Sequence, residues 1–503
     1  MMADEREDLS RVVAAREALQ DAARPEAVAK QRARGRNTAR ENIAAFADPD
    51  SFVEYGGLAK PARADMDGPA DGLVMGTATV DGRPVVLVAY DYMVFAGTQG
   101  ATNHRKMERM FGLAERNRWP VVGWWDGGGA RPHDMLVAGR PENPGFVTYA
   151  RLSGLAPTVA LVTGRAFAGQ ANLAGLSDVV IATKSATMGM AGPPLVEAAL
   201  GGSFTPEDIG PMDVHEAAGG IDILVDDEAA ALAAARRYLG YFSGPGPAGA
   251  APDVMKLREI VPDNPRRAYN VRKVVEGLAD QDSILELRPR FGKAAVTALA
   301  CIDGRPVGIM ANQPMYLAGA MDSPACDKIA RFIGLCDAYD IPLVFLCDTP
   351  GLMVGPDIEK TALVRHSARI LTAAANATVP MVTVVLRKAY GLGYYVMGAM
   401  AYSPDLVLAW PTAEFGGMGI EGAVNIIHKA ELDAVDDPAE RAALHARLTA
   451  ELKTYHTALE VAGRFYVDDV IDPAETRTIL AKALAGFPPP APRTGRKRLV
   501  DPW

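Results

Sequence analysis

Short apolar runs alternate with stretches of helical periodicity along most of this chain. Val85-Val86-Leu87-Val88-Ala89 is apolar throughout and predicts a strand, while His104 to Arg116 carries apolar residues at helical spacing and predicts a crossover helix. The same alternation returns in the second half. Strands are expected at Val307 to Met310, Leu343 to Cys347, Val382 to Leu386 and Leu406 to Trp410, spaced by helices over Ser323 to Tyr339 and Ile358 to Ala377. Helices at Ala229 to Phe242 and Asp436 to Leu459 would close the two halves. Strand and helix in turn define an α/β fold.

The two halves are copies of each other. Asp81-Gly82-Arg83-Pro84-Val85 recurs as Asp303-Gly304-Arg305-Pro306-Val307, and with no gap Lys106 matches Lys328, Pro120 matches Pro342 and Asp126 matches Asp348, always 222 positions on. After small insertions Arg165-Ala166-Phe167 faces Lys388-Ala389-Tyr390. A unit of this size is too long for a solenoid repeat of about 20–50 residues, so the reading is two tandem α/β domains related by internal duplication. Residues 1–45, mixed in Ala, Arg, Glu and Leu, read as a helical arm; 46–250 is the first domain and 251–488 the second, with the Gly/Pro/Ala stretch Ser243 to Asp253 as linker. Residues 489–503, with Arg493 to Arg498 after a proline run, read as a solvated basic tail.

Composition narrows the function classes. A hydrophobic fraction of 49% with 22% charged residues is ordinary globular composition. The net charge of −9 argues against nucleic acid as a partner, because that role needs a basic face to displace phosphate counterions. The longest apolar runs fall far short of the roughly 18 residues a membrane span requires, and the charged start lacks a secretory apolar stretch, so a cytoplasmic location is expected. The four cysteines, Cys301, Cys326, Cys336 and Cys347, have no paired C-x-x-C spacing, which supports neither a zinc ribbon nor a disulfide framework; no metal site is expected.

The candidate chemistry lies where each copy has an apolar strand running into small residues and then a helix. In the first copy this is Val159 to Val162 followed by Thr163-Gly164-Arg165-Ala166-Phe167-Ala168-Gly169-Gln170; in the second it is Val382 to Leu386 followed by Arg387-Lys388-Ala389-Tyr390-Gly391-Leu392-Gly393. Small residues let a ligand approach the backbone, and the first amides of the helix have no partner inside it. That is an oxyanion hole, in which each fixed donor is typically worth ~2.7–4 kcal/mol of transition-state stabilisation without a conspicuous side chain. Glycines after a strand also serve plain strand-to-helix packing.

Other constellations carry less. Gly417-Met418-Gly419-Ile420-Glu421-Gly422 fits a dinucleotide-binding spacing, but Pro411 intervenes and the first copy does not reproduce it. The seven histidines show no H-E-x-x-H, and no serine sits in G-x-S-x-G. Met255-Lys256 is a partial match to a biotin attachment site without the small β-rich domain around it, so biotin, if used, must arrive on another polypeptide.

Several motifs occur in order between about Thr38 and Phe487: Asp126-Gly127-Gly128-Gly129-Ala130-Arg131, Ala311-Asn312-Gln313-Pro314, Arg387-Lys388-Ala389-Tyr390-Gly391, Ala409-Trp410-Pro411-Thr412-Ala413-Glu414 and Met418-Gly419-Ile420-Glu421-Gly422-Ala423-Val424. In these the chain resembles the carboxyltransferase β subunits of biotin-dependent acyl-CoA carboxylases, of the propionyl-CoA and acetyl-CoA carboxylase type, which are built from two crotonase-like domains. The resemblance implies that the first domain takes the acyl-CoA and the second the biotin. It assigns the Ala168 and Gly169 amides to the thioester enolate and those of Leu392 and Gly393 to the urea oxygen of carboxybiotin. It implies substrate contacts from Gly128, Gly129, Ala130, Arg131, Tyr394 and Tyr395. CO2 would pass from carboxybiotin to the α carbon, with biotin itself taking the α proton. It further implies a biotin carboxylase and a biotin carboxyl carrier protein as partners, and a homo-oligomer, usually a hexamer with sites at a dimer interface.

The chain departs from that pattern twice. Family members commonly show Gly-Gly-Ala and a nearby Tyr-Ser-Pro where this chain has Ala168-Gly169-Gln170 and then Asn172-Leu173-Ala174-Gly175. Their Gly-Gly-Ala-Tyr-Asp stands here as Gly391-Leu392-Gly393-Tyr394-Tyr395, which puts a bulky ring at the position that tunes acyl choice. Tyr395 is expected either to reshape the acyl pocket or to pack at an interface. Alternatives are the reverse reaction, biotin-dependent decarboxylation of a malonyl-type thioester; a crotonase-like hydratase or isomerase; and a non-catalytic scaffold subunit.

Overall fold

The computed structural model describes residues 6–132, 134, 144–488 and 499–503. The chain divides into two compact units, one with the residues up to Gly240 together with Leu499 to Pro502, the other with those from Tyr241 and with Trp503.

The strands of the first unit are β1 (Val53–Glu54), β2 (Leu73–Val80), β3 (Arg83–Tyr90), β4 (Val121–Trp124), β5 (Thr158–Val162), β6 (Arg165–Phe167), β7 (Val179–Thr183), β8 (Thr187–Gly189) and β9 (Ile223–Val225). They form a sheet ordered β1-β2-β3-β4-β5-β7-β9, with β6 and β8 paired separately. β2 and β3 make an antiparallel hairpin, turned at Asp81 and Gly82, both with positive φ (50° and 75°), which suits the twist of two-residue hairpin loops. From β3 to β9 the pairing is parallel, so strands are covered on both faces and read as unbroken apolar runs. Val86, Leu87, Val88 and Ala89 are all fully buried, in keeping with that reading. Trp125 fills the centre of the core, edge-on to Tyr149 at 5.6 Å and to Phe111 at 6.5 Å.

The second unit repeats the plan with β10 (Leu285–Glu286), β11 (Ala295–Ile302), β12 (Arg305–Asn312), β13 (Leu343–Thr349), β14 (Met381–Tyr390), β15 (Leu406–Ala409), β16 (Glu414–Gly416) and β17 (Asp469–Val470). Their order is β10-β11-β12-β13-β14-β15-β17, with β16 beside the end of β14. The duplication extends to strand register. Leu73 pairs with Tyr90 and Ala295 with Asn312, the same pair displaced by 222. Even the buried lysines match: Lys106 donates to the carbonyls of Ala70 and Leu73, and Lys328 to those of Phe291 and Ala295.

Three sequence expectations are corrected. The helix expected over Ile358 to Ala377 is two, Pro356–Glu359 and Leu363–Asn376, broken where Ala362 takes a left-handed backbone (φ 57°). The one expected over Asp436 to Leu459 stops at Thr454, and a separate helix covers Ala458–Gly463, because His456 turns its carbonyl to the Phe415 amide of β16 (3.0 Å). The basic stretch Arg493 to Arg498 lies outside the described residues, and of the last five residues Val500 is buried while 499 and 501–503 are exposed. Val500 exchanges hydrogen bonds with Ser153 Oγ (3.0 and 3.1 Å) in the first unit, and the Trp503 indole packs on Phe291 and donates to Asp327 (3.3 Å) in the second.

Candidate active site

In each unit, one residue with left-handed backbone turns a strand into a short helix. Ala168 (φ 52°, ψ −114°) follows β6 and begins the helix Gly169–Gly175; Gly391 (φ 51°) follows β14 and opens the helix Gly391–Tyr395. A non-glycine residue held this way costs on the order of 1–3 kcal/mol and persists where its surroundings fix it. Here the Ala168 amide donates to the Gly189 carbonyl (3.0 Å) on β8, and its carbonyl accepts from the Asn172 amide (2.9 Å) and Nδ2 (2.8 Å).

Ala168, expected as an oxyanion donor, is therefore the pivot: its N–H is already taken. The amides that come next, Gly169 and Gln170, are without a partner among the described residues, as are Leu392 and Gly393 at the matching places in the second unit. A side chain at Gly393 would meet backbone, and one at Gly169 would have to displace the Gln99 carboxamide. A Cβ on Gly169 would lie 2.1 Å from Gln99 Oε1, and one on Gly393 would lie 2.6 Å from the Gly351 Cα.

The Gly127-Gly128-Gly129-Ala130-Arg131 loop leaves β4 and lies against this turn, since a Cβ on Gly129 would come 2.9 Å from that of Ala168. A parallel bridge holds it: the Gln99 amide donates to the Gly129 carbonyl and the Arg131 amide to the Gln99 carbonyl, each at 2.7 Å. The Gly128 amide is bound to the Ala96 carbonyl (3.2 Å) and the Gly129 amide to Gln170 Oε1 (2.9 Å). The exposed Ala130 amide has no partner among the described residues. The second unit repeats the bridge as Met321 with Leu352.

Two of the expected substrate contacts turn inward. Arg131 is buried, with Nη1 2.7 Å from Asp71 and 3.6 Å from Asp134, and its guanidinium lies 4.6 Å from the centre of the Phe95 ring. It shapes the loop instead of facing a ligand. The Tyr394 ring packs edge-on against Phe415 at 5.7 Å, and burial pushes its hydroxyl pKa up, whereas Tyr395 is 46% exposed.

The carboxylates beside these turns are structural. Asp126 accepts from Thr163 Oγ1 (2.9 Å) and the Gly164 amide (2.8 Å); Asp348 accepts from Arg387 and from the Lys388 amide (3.1 Å). Glu197 caps the Ser203-Phe204 turn, and Glu207 lies 3.8 Å from Arg165. Burial raises the Cys326 thiol to about 12 and pushes Cys336 and Cys347 up as well, so none of these is a thiolate nucleophile near neutral pH. What these turns leave without a partner among the described residues is a set of backbone amides, donors of the kind that can stabilise an oxyanion.

The carboxyl transferase domain family matches residues 30–486. The chain belongs to that family. This carboxyltransferase is 37% identical over 473 residues to the methylmalonyl-CoA carboxyltransferase 12S subunit of Propionibacterium freudenreichii subsp. shermanii, covering 91% of this chain and 90% of the relative. It is 36% identical to the propionyl-CoA carboxylase beta chain of Saccharopolyspora erythraea over 91% of this chain and 89% of that one. Among solved structures it is similar to a single-chain, multi-domain long-chain acyl-CoA carboxylase, with 44% identity and a TM-score of 0.89 over 95% of this chain. The carboxyltransferase spans about half (49%) of that larger chain. The transcarboxylase 12S hexamer, solved with methylmalonyl-CoA bound, is 34% identical with a TM-score of 0.88 and 99% coverage of both chains. The carboxyltransferase is an enzyme of crotonase-like α/β fold, of the kind found as the β subunit of biotin-dependent acyl-CoA carboxylases. Sequence reasoning missed the bond between the Gln170 side chain and the Gly129 amide, whose only signal was a departure from the family's small residue.

Proposed function

We propose that this carboxyltransferase moves CO2 between carboxybiotin and the α carbon of an acyl-CoA, with residues 46–250 receiving the thioester and 251–488 the biotin. The observation that carries the reading is the pair of matched turns, each with unpaired amides after a left-handed pivot. Carboxybiotin, brought by a separate carrier protein that a biotin carboxylase charges, would supply the carboxyl group and accept the α proton. The chain's own residues position and polarise. The Gly169 and Ala130 amides would hold the thioester oxygen as it becomes an enolate, and those of Leu392 and Gly393 the urea oxygen as it gains charge. Because these donors are fixed before reaction, they stabilise the developing charge without reorganising. We further propose a hexameric assembly, on the likeness to the transcarboxylase 12S hexamer.

The reverse direction has one observation in its favour, the 37% identity to a methylmalonyl-CoA carboxyltransferase subunit. Both directions use the same amides. The test is carboxyl transfer by the full chain from methylmalonyl-CoA to free biotin, and from a carboxybiotinylated carrier to acetyl-, propionyl- and longer acyl-CoA. No turnover in either direction, with tight binding to a biotinylated carrier, would favour the scaffold reading instead.

A further inference from the structure

The side chain of Gln170 ties together two loops of the acyl site. It is fully buried; Oε1 accepts from the Gly129 amide (2.9 Å), and Nε2 donates to the Gly97 carbonyl (2.6 Å). The loops leave it no slack, because a Cβ on Gly127 would lie 2.3 Å from both Gln170 Nε2 and the Gly97 carbonyl oxygen. We propose that Gln170 is the positioning residue of the acyl site, closing the Gly129 amide so that, of that loop's amides, the neighbouring Ala130 amide is the one presented with Gly169 to the thioester oxygen.

The second unit supports this by solving the same problem differently. The place matching Gln170 is Gly393, where a side chain has no room. The amide matching Gly129 is that of Gly351, and it donates to Thr349 Oγ1 (3.2 Å), whose hydroxyl in turn donates to the Gly351 carbonyl (3.1 Å). Two unrelated side chains close the same amide in the two copies. The next amide along, Ala130 or Leu352, has no partner among the described residues in either. A carboxamide suits the first unit because it carries one acceptor and one donor group, and the two loops offer one amide and one carbonyl. Without it, a buried amide and a buried carbonyl would lose their partners and the loop carrying Ala130 would no longer be fixed before the reaction.

This inference rests on the oxyanion reading above, and the test separates the two. Gln170→Ala, Gln170→Glu and, as a control on the reading itself, Leu392→Pro are assayed as full-length protein for transfer from methylmalonyl-CoA to free biotin. Hydrogen exchange is followed in the peptide covering Gly127 to Ala130. Gln170→Ala is expected to lower kcat by about 10–100-fold, with KM for the thioester changed less than about threefold, and to speed exchange in that peptide. Gln170→Glu keeps the acceptor but turns a carboxylate toward the Gly97 carbonyl, so its activity should rise as pH falls and the carboxyl regains a proton to donate. Gln170→Ala with wild-type kcat and exchange, or Gln170→Glu with the wild-type pH profile, overturns the role of Gln170 while an impaired Leu392→Pro leaves the oxyanion reading standing. Wild-type turnover in Leu392→Pro overturns both.

Discussion

Arg387 and Asp348 form a buried ion pair at the start of the second unit's turn, with Nε and Nη2 each 3.0 Å from Oδ2. In the first unit the residue matching Arg387 is Gly164, and the space its side chain would fill is taken by the guanidinium of Arg36 from the helical arm, 1.7 Å from a Cβ built there. The two copies thus bring a cation to the same carboxylate by different routes. Burial raises the Asp126 pKa, and the charge of Arg36 is the main force opposing that rise.

Removing Arg387 still leaves Asp348 the ammonium (3.3 Å) and amide (3.1 Å) of Lys388, so the cost should fall below the about 3–5 kcal/mol typical of a buried charge left uncompensated. Arg387→Met should therefore lower the urea unfolding midpoint by a modest, measurable amount. Arg36→Met should cost at least as much, because Asp126 then keeps the neutral donors Thr163 and the Gly164 amide. A larger shift in Arg387→Met than in Arg36→Met would contradict the assignment.

Leu392 is 57% exposed and stands in the first turn of its helix, where proline is tolerated because the amide has no helical partner. Leu392→Pro removes that N–H with little effect on packing. If it holds the biotin oxygen, kcat should fall by roughly 10²–10³ with an unchanged unfolding curve.

Tyr395 faces outward where Tyr394 turns in. Replacing Tyr395 with Asp or Ile should change the ratios of kcat/KM among acetyl-, propionyl- and longer acyl-CoA by about 10-fold or more if the ring bounds the acyl group, since each methylene in a fitted pocket is worth roughly 1–3 kcal/mol. Unchanged ratios would assign the ring to packing alone.

Burial lowers the Lys328 pKa from 10.5 to about 7 and that of Lys106 to about 8. Between the folded and unfolded values the unfolded chain binds more protons, so these groups make stability rise with pH, by up to about 1.4 kcal/mol per pH unit each. Urea unfolding of wild type and Lys328→Met at pH 6.5 and 9 should show the wild type gaining on the variant at the higher pH. A difference that is flat or falls with pH would contradict the shift.

The sequence by itself determined the duplication, the α/β class and the location of the two turns, because strand and helix periodicities and a constant 222-residue register are local or repeating properties that survive in one dimension. It also pointed to Leu392 and Gly393. Which amides remain open was decided only by the tertiary structure, because a donor is available or taken according to what lies across from it. Ala168 lost its N–H to Gly189 on a neighbouring strand, and Gly129 lost its own to a side chain 41 residues along the chain. Arg131 and Tyr394 sit in motifs that suggest ligand contacts, yet Asp71 and Phe415 draw both inward, and those partners are distant in sequence. Hydrogen-bond partners and burial are properties of proximity in space, which strand order and loop packing create and no stretch of residues carries alone.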